Sequence, residues 1–351
     1  MKIKIKYLSI SAVIFFLTVF AGNINGQNQN EMRRLINLKG EWKFSIGDSP
    51  DWAKPDLNDF DWERIKVPNA WENEGFNGYN GYAWYRKKVE IKSNLKGRDI
   101  YLSLGRIDDV DEAYFNGIKI GFTGKFPPIY QTAYYAWRVY KIPSELINYN
   151  GENSIAIRIY DAELDGGILE GNIGILENFN GMDLDYSLPN IWKFSSSDNL
   201  QWKDLSYNDS FWEDIMVPMY WEDSGYKDYD GYGWYRIKFY PPANLKNKNL
   251  VLVLGKIDDV DEAYLNGKLI GSTGSKDNMR QSYSQFRGYY LKEGDLMFDQ
   301  ENVLAVRVYD GMQGGGIYEG PIGFISQDKY TKFWRERKSQ SRKSFWDRFF
   351  N

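Results

Sequence analysis

Two stretches of the chain, IDDVDEAYFNG at residues 107–117 and IDDVDEAYLNG at residues 257–267, have almost the same sequence. They begin 150 positions apart, and further matches keep this offset on both sides. Those matches are Trp42-Lys43-Phe44 with Trp192-Lys193-Phe194, Val67-Pro68 with Val217-Pro218, Trp71 with Trp221, and Trp84-Tyr85-Arg86 with Trp234-Tyr235-Arg236. Because solenoid repeats are only about 20–50 residues long, a period of this length indicates a duplicated domain.

The length of the chain agrees with this interpretation. Its 351 residues leave room for two domains of ordinary size. We predict a first domain at residues 31–181, a second at residues 182–327, and a basic, aromatic tail at residues 328–351. We call the two domain segments the first copy and the second copy.

The N-terminus is typical of a secretory signal peptide. Lys2, Lys4 and Lys6 precede the apolar run LSISAVIFFLTVFA at residues 8–21, and small and polar residues follow it. The run is shorter than the ~20 residues that a membrane span needs. We therefore predict a signal peptide at residues 1–26 and an exported protein, either periplasmic or extracellular.

Short alternating segments dominate both copies. Residues 38–44, 85–91 and 154–160 alternate apolar and polar side chains, which is typical of half-buried strands. Asn116-Gly117 and Asn266-Gly267 are strong hairpin signals. Neither copy contains a helical period longer than a turn or two. The pattern predicts an all-β protein and favours a β-sandwich or a jelly roll.

Two absent residue types exclude whole classes of chemistry. The chain has no Cys and no His, so thiol nucleophiles, disulfides and Ser-His-Asp catalysis are excluded, and a zinc site is not expected. The formal net charge is −4, so no global positive field favours nucleic acid, and we predict no nucleic-acid partner.

The motifs resemble the N-terminal sugar-binding domain of glycoside hydrolase family 2. The residues that carry the resemblance are Trp42-Lys43-Phe44, Trp62, Val67-Pro68, Trp71, Gly81 to Arg86, Asp108 to Gly117 and Asn153 to Asp161, with their second-copy equivalents. The resemblance implies two tandem jelly-roll β-sandwich domains of the galactose-binding-domain-like type. In the family the catalytic glutamates belong to a separate (β/α)8 barrel, for which this chain has no candidate stretch, so we predict no catalytic residue.

The acidic residues of the repeated stretch form the first candidate site. They are Asp108, Asp109, Asp111 and Glu112, with Asp258, Asp259, Asp261 and Glu262 in the second copy. Such a cluster has enough oxygens for calcium, and a carboxylate pair for glycoside hydrolysis is also conceivable. Because consecutive strand residues point to opposite faces, all four cannot converge on one ligand. We prefer a structural role and predict no metal ligand and no cofactor, with a structural Ca²⁺ left open.

Glycine-rich loops supply the predicted ligand-binding residues. Aromatic rings on loops stack on sugar faces, carboxylates accept bonds from sugar hydroxyls, and arginines clamp acidic sugars. The alternatives are that the rings plug the end of a sandwich and that the arginines pair with the acidic cluster. The predicted residues are Trp71, Tyr79, Tyr82, Arg86 and Glu170, and their equivalents Trp221, Tyr229, Tyr232, Arg236 and Glu319.

These patterns together predict a non-catalytic carbohydrate-binding protein that binds a glycan or polysaccharide. It would assist polysaccharide breakdown, with a separate glycosidase as a partner. One alternative is a structural or partner-binding module, and another is a β-galactosidase-like or β-glucuronidase-like hydrolase acting through carboxylates. The tail carries eight Lys or Arg against three acids. We prefer a terminal helix packed on the second copy over contact with a membrane.

Overall fold

The computed structural model describes residues 32–178, 181–277 and 279–350. The predicted signal peptide, residues 1–26, lies outside the described residues.

Eleven strands occupy the described part of the first copy. They are β1 Met32–Asn37, β2 Gly40–Ile46, β3 Glu63–Val67, β4 Gly81–Glu90, β5 Ile100–Asp108, β6 Val110–Phe115, β7 Ile118–Thr123, β8 Trp137–Lys141, β9 Glu152–Asp161, β10 Gly167–Glu170 and β11 Gly174–Asn178. Single turns of 3-10 helix lie at Pro50–Ala53, Trp71–Glu74, Ser93–Leu95 and Ser144–Leu146.

The described part of the second copy has ten strands. They are β12 Tyr186–Ser187, β13 Ile191–Ser195, β14 Glu213–Met216, β15 Gly231–Phe239, β16 Leu250–Asp258, β17 Val260–Leu265, β18 Lys268–Thr273, β19 Phe286–Tyr290, β20 Asn302–Asp310 and β21 Gly316–Ser326. The helices are α1 Met279–Ser282 and, in the tail, α2 Gln327–Phe350, with 3-10 turns at Leu200–Lys203 and Ala243–Leu245.

The hairpin signals of the sequence are confirmed in both copies. Asn116 and Gly117 join β6 to β7 with φ angles of 49° and 83°. Asn266 and Gly267 join β17 to β18 with 54° and 81°. A two-residue turn of this kind needs the left-handed region at both positions, which asparagine and glycine tolerate best.

The all-β class is confirmed, but the prediction of two tandem jelly-roll β-sandwich domains is wrong. The described strands form four antiparallel sheets, arranged like four blades of a propeller-like ring. Their strand orders are β3-β2-β4-β9-β6-β7, β1-β11-β5-β10 with β8 also paired to β5, β14-β13-β15-β20-β17-β18, and β12-β21-β16-β19. A jelly roll instead distributes eight strands over two sheets through two Greek keys. Alternation along a strand shows which face is buried, but it does not determine which strands pair.

Each copy has a hydrophobic core of its own, enclosed between two sheets. In the first copy, residues of β2, β4, β6 and β9 meet residues of β5, β10 and β11. In the second copy, residues of β13, β15, β17 and β20 meet residues of β16 and β21. Burial of this apolar surface is the main stabilising contribution. The tryptophans that are fully buried are Trp42, Trp71, Trp84, Trp192, Trp221 and Trp234.

A completely buried ion pair joins the two sheets of the first copy. Arg138 on β8 donates through Nε to Asp111 Oδ1 on β6 at 2.8 Å, and neither side chain is exposed. The Tyr140 hydroxyl donates to the other oxygen of Asp111 at 2.7 Å. Arg138 Nη2 also donates to the carbonyl of Asp109 at 2.9 Å, which ties the acidic turn to the interior.

The second copy contains the same arrangement. Arg287 on β19 donates through Nε to Asp261 at 2.8 Å, and Tyr289 donates to the same carboxylate. Arg287 Nη2 donates to the carbonyl of Asp259 at 2.8 Å. Both acidic turns are therefore held by an arginine on a different sheet.

The two copies touch directly. Lys125 of the first copy lies 2.7 Å from Glu213 of the second and 4.0 Å above the ring of Tyr226. The amide of Gly124 donates to the carbonyl of Asp223 at 2.8 Å. These contacts fix residues 124 and 125 of the first copy against the loops of the second.

The tail forms a helix against the second copy. Tyr330, Phe333 and Trp334 of α2 pack against the cluster that contains Val251 and Ile325 on the outer face of β16 and β21. The other aromatic side chains of the tail, at positions 345, 346, 349 and 350, lie outside the described residues. Within the described residues, no helix combines the length and the apolar character that crossing a membrane requires.

We predict that Arg138→Met destabilises the protein by about 3–5 kcal/mol, because it leaves the Asp111 carboxylate buried without a counter-charge. Arg64→Met is the matched control. Arg64 pairs with Glu41 at 3.1 Å on the surface, and removing such a pair costs about 1 kcal/mol or less. The free energy of unfolding in urea measures both, and equal losses would contradict the role of the buried pair.

Candidate functional site

The two loop tryptophans of the prediction are completely buried. Trp71 and Trp221 have no exposed surface. A Cβ added at Gly166 would lie 2.1 Å from Trp71, and one added at Gly315 would lie 1.9 Å from Trp221. These glycines bring the late loop directly against each indole. Neither ring presents a surface on which a sugar would stack.

Tyr79 and Tyr229 close the same end of each core. Their hydroxyls donate to the carbonyls of Tyr82 and Tyr232, at 2.7 and 2.9 Å. Each ring meets its buried tryptophan edge to face, with centroids 5.9 and 5.4 Å apart. This arrangement corresponds to the alternative in which aromatic rings plug the end of the fold.

Tyr82 and Tyr232 are half-buried on the outer face of the six-stranded sheets. The Arg158 guanidinium lies 4.8 Å from the Tyr82 ring, and that of Arg307 lies 4.2 Å from the Tyr232 ring. Phe126 additionally stacks in parallel on Tyr82. Lys276 Nζ lies 4.8 Å from the Tyr232 ring. Both tyrosines therefore already have partners.

Arg86 and Arg236 are buried and do not pair with the acidic cluster. Arg86 Nε donates to Asp59 at 2.9 Å, and Arg236 Nε donates to Asp209 at 2.8 Å. The arginines that pair with the buried aspartates of the cluster belong to β8 and β19 and were missed. Their signal in the sequence was the shared Arg-x-Tyr at residues 138–140 and 287–289.

The two predicted glutamates lie at the surface in ion pairs. Glu170 accepts from Arg106 at 2.9 Å, and Glu319 accepts from Lys256 at 2.8 Å. A sugar hydroxyl would compete with these cations for the carboxylate oxygens.

The acidic cluster divides between opposite faces, as the alternation argument predicts. Asp111 enters the buried ion pair, whereas Glu112 faces the outer side, where Arg158 donates to it at 3.1 Å. Asp108 and Asp109 instead meet Asp161, which ends β9. The structure thus assembles a trio of aspartates from two segments that are far apart in the chain.

Each copy has such a trio, in which one oxygen from each aspartate lies within 4.8 Å of those of the other two. Burial and the neighbouring carboxylate of Asp109 raise the pKa of Asp108 to about 8, and burial raises that of Asp161 to about 7. Burial likewise raises the pKa of Asp258 to about 9 and that of Asp310 to about 7. Crowded, desolvated carboxylates of this kind mark a candidate site for a proton or a cation.

Asp258 and Asp259 of the second copy's trio line a large cleft with a volume of about 1160 Å³. Aromatic and carboxylate side chains dominate its wall, a combination that suits a polar ligand with flat apolar faces. The lining includes Tyr135, Tyr220, Glu222, Asp223, Asp258, Asp259, Lys276, Asp277, Met279, Tyr283 and Met312.

A stacked pair of tyrosines distinguishes this cleft. Tyr220 and Tyr318 lie parallel, with centroids 4.8 Å apart and an interplanar angle of 7°. The corresponding residues of the first copy are Ala70 and Leu169. Tyr135 reaches the cleft from the first copy. Sequence reasoning missed these residues because it followed the positions at which the copies agree.

No model of a known protein family matches the chain. A putative β-glucuronidase of Formosa agariphila is 29% identical over 145 residues, which cover 37% of this chain and 13% of that protein. A β-galactosidase of Bacteroides ovatus is 24% identical over 158 residues, which cover 42% of this chain and 18% of that protein. The chain thus spans less than a fifth of the length of these relatives. The relation to glycosidases supports a carbohydrate-related function.

Solved structures of glycosidases are similar only at a low level. A β-glucuronidase of Bacteroides uniformis has a TM-score of 0.36 and 14% identity, over 81% of this chain and 28% of that one. A glycosyl hydrolase family 2 member from Bacteroides cellulosilyticus has a TM-score of 0.35 and 14% identity, over 80% of this chain and 32% of that one.

We predict that Asp223 makes stability pH-dependent. Burial raises the pKa of Asp223 to about 6, although the Tyr135 hydroxyl and the Arg138 charge lower it. Because the unfolded carboxyl titrates near pH 4, the folded state binds more protons between about pH 4 and 6, and the free energy of unfolding falls as pH rises through this window. This carboxyl should lower the free energy of unfolding by about 3 kcal/mol across the window, and Asp223→Asn should remove that decrease.

The comparison uses urea unfolding at pH 4 to 7. Asp204→Asn, at an exposed position of the same copy, should leave the pH dependence unchanged. If Asp223→Asn has the same pH dependence as the unmodified protein, this assignment is wrong.

Proposed function

We propose that the chain is an exported, non-catalytic carbohydrate-binding protein and that the second copy's cleft is its glycan site. In this role it would assist polysaccharide breakdown beside a separate glycosidase. The observation that carries the proposal is the cleft itself. Tyr220 of the stacked tyrosine pair and Asp258 and Asp259 of the aspartate trio line the same cavity of about 1160 Å³.

The wall chemistry matches what a pyranose offers. A sugar has apolar faces made of C–H groups, which aromatic rings contact, and a rim of hydroxyls, which carboxylates accept from. Tyr283 is about half exposed and Met312 is exposed, so apolar contact area is accessible at the cleft. The rigid Tyr220–Tyr318 pair would limit the entropy lost on binding.

The charge of the wall favours neutral glycans over uronates. Carboxylates dominate the lining described above, whereas Lys276 is the one cation among the lining residues whose side chains the structure describes. An anionic sugar would face like charges in a partly desolvated site, which is a strong basis for discrimination. We therefore expect neutral hexose chains to bind more tightly than glucuronate-containing ones.

The alternative function is a glycoside hydrolase that acts through the carboxylates of the trio. Retaining enzymes hold their two carboxyl groups about 5–5.5 Å apart, and inverting enzymes hold them further apart. One oxygen from each of Asp258, Asp259 and Asp310 lies within 4.8 Å of the other two. This spacing suits a shared proton or cation, and the assay for released sugar below tests the hydrolase directly.

A structural or partner-binding role through the tail has weaker support. The aromatic side chains that would form a binding face, Tyr330, Phe333 and Trp334, already pack on the second copy. Lys329 is also engaged, because it lies 2.8 Å from Asp183 and 3.3 Å from Asp185. Binding through these residues would first require α2 to leave its sheet.

We predict that the mature protein binds neutral oligosaccharides on a glycan array and that Tyr220→Ala weakens this binding about 10-fold or more, because a stacking surface is lost. Tyr283→Ala, at the exposed edge of the cleft, should weaken binding in the same direction. Calorimetry with the strongest array ligand gives the dissociation constants.

Tyr240→Ala is the matched control, since Tyr240 is an exposed tyrosine of the same copy and is not part of the cleft lining. It should leave the affinity unchanged. Folded protein that binds no glycan would contradict the proposal. Release of sugar from chromogenic β-galactosides or β-glucuronides would instead support the hydrolase.

A further inference from the structure

The aspartate trio of the second copy has a buried oxygen without a hydrogen-bond partner among the described residues. Asp310 has no exposed surface, and its Oδ2 is that oxygen. Its Oδ1 accepts a long bond of 3.3 Å from the amide of Met312. A buried carboxylate oxygen without a partner is costly, so a proton or a cation is required there.

The same defect recurs in the first copy. Asp161 also has no exposed surface, and its Oδ1 is likewise without a partner. Two segments 149 positions apart thus place an unsatisfied carboxylate beside an Asp-Asp pair. Because the unsatisfied oxygen occurs in both copies, it is not peculiar to the loop of one copy.

The spacing of the trio fits a hard divalent cation. Calcium binds oxygens at about 2.3–2.6 Å, so two of its ligands are at most about 5 Å apart. The oxygens of Asp258, Asp259 and Asp310 fall within 4.8 Å of one another. Ligands that are all carboxylate oxygens suit calcium, magnesium or manganese rather than softer metals.

The two trios differ in the hydrogen bonds that their carboxylates already accept. In the first copy, Asp109 already accepts from Thr132, Tyr130 and the amide of Ala162. In the second copy, Asp259 accepts a bond of 3.3 Å from the amide of Gly311.

The surroundings of the two trios also differ. Asp230 acts electrostatically on Asp310, where the first copy has Asn80, whereas Asp165 acts on Asp161, where the second copy has Gly314. Asp258 and Asp259 line the cleft described above. Fewer competing hydrogen bonds among the described residues and this entry path favour the second copy.

We propose that Asp258, Asp259 and Asp310 bind a divalent cation, Ca²⁺ in the first instance, at the wall of the second copy's cleft. The cation would bind without any glycan, so the cation site can be tested separately from the proposed function. When both are present, open coordination positions would accept sugar hydroxyls.

The test is calorimetry with CaCl₂ on the mature protein after removal of metals by a chelator. We expect one dominant site per chain, with a dissociation constant between about 10⁻⁶ and 10⁻³ M, and a rise in melting temperature on adding calcium. Asp310→Asn should weaken binding at least about 10-fold. Asp258→Asn should do the same and serves as the second variant if Asp310→Asn does not fold.

Two matched controls separate this site from general negative charge. Asp277→Asn removes an exposed carboxylate of the same cleft, and Asp161→Asn removes the equivalent residue of the first copy. Both should keep the dominant site. The proposal is overturned if folded protein binds no Ca²⁺, Mg²⁺ or Mn²⁺, or if Asp161→Asn abolishes binding while Asp310→Asn does not. In the first case protons would neutralise the trio. In the second case the cation site would be that of the first copy.

Discussion

The buried pairing of an arginine with an aspartate is the constraint on which the rest of the molecule depends. Arg138 and Arg287 each cross from one sheet to another, neutralise a fully buried carboxylate and hold the carbonyl of the acidic turn. In each copy, the arginine that joins the two sheets therefore also holds Asp109 or Asp259 in place. Without it, an unpaired charge would remain in the core and the aspartate trio would lose its anchor.

The two copies share a scaffold and differ in the surface built on it. Buried tryptophans, Asn-Gly hairpins and interior arginines occur in both. Tyr220, Tyr318 and Asp230 of the second copy replace Ala70, Leu169 and Asn80 of the first. Tyr220 lines the cleft, Tyr318 stacks on Tyr220, and Asp230 acts electrostatically on Asp310. Tyr135 extends from the first copy into the same cleft, so both copies contribute to its wall.

The sequence predicts local structure well because local structure follows from neighbours in the chain. The all-β class and the hairpins at Asn116 and Asn266 follow from alternation and turn chemistry. Sheet pairing does not, since β4 pairs with β9 across an intervening 61 residues and many other pairings would bury the same faces. The prediction of Trp71 as a ligand-binding residue failed for a related reason. Trp71 sits in a glycine-rich loop, as a ligand-binding ring would, but Gly166 closes over it from a distant loop.

The central claim is that glycans bind in the second copy's cleft and that the first copy has a supporting role. Hydrogen–deuterium exchange with and without a bound oligosaccharide tests it most directly. The account predicts slower exchange at residues 220–223, 281–283 and 312–314, with no change at the equivalent first-copy residues 70–73 and 163–165. Protection confined to the first copy, or to α2, would contradict it.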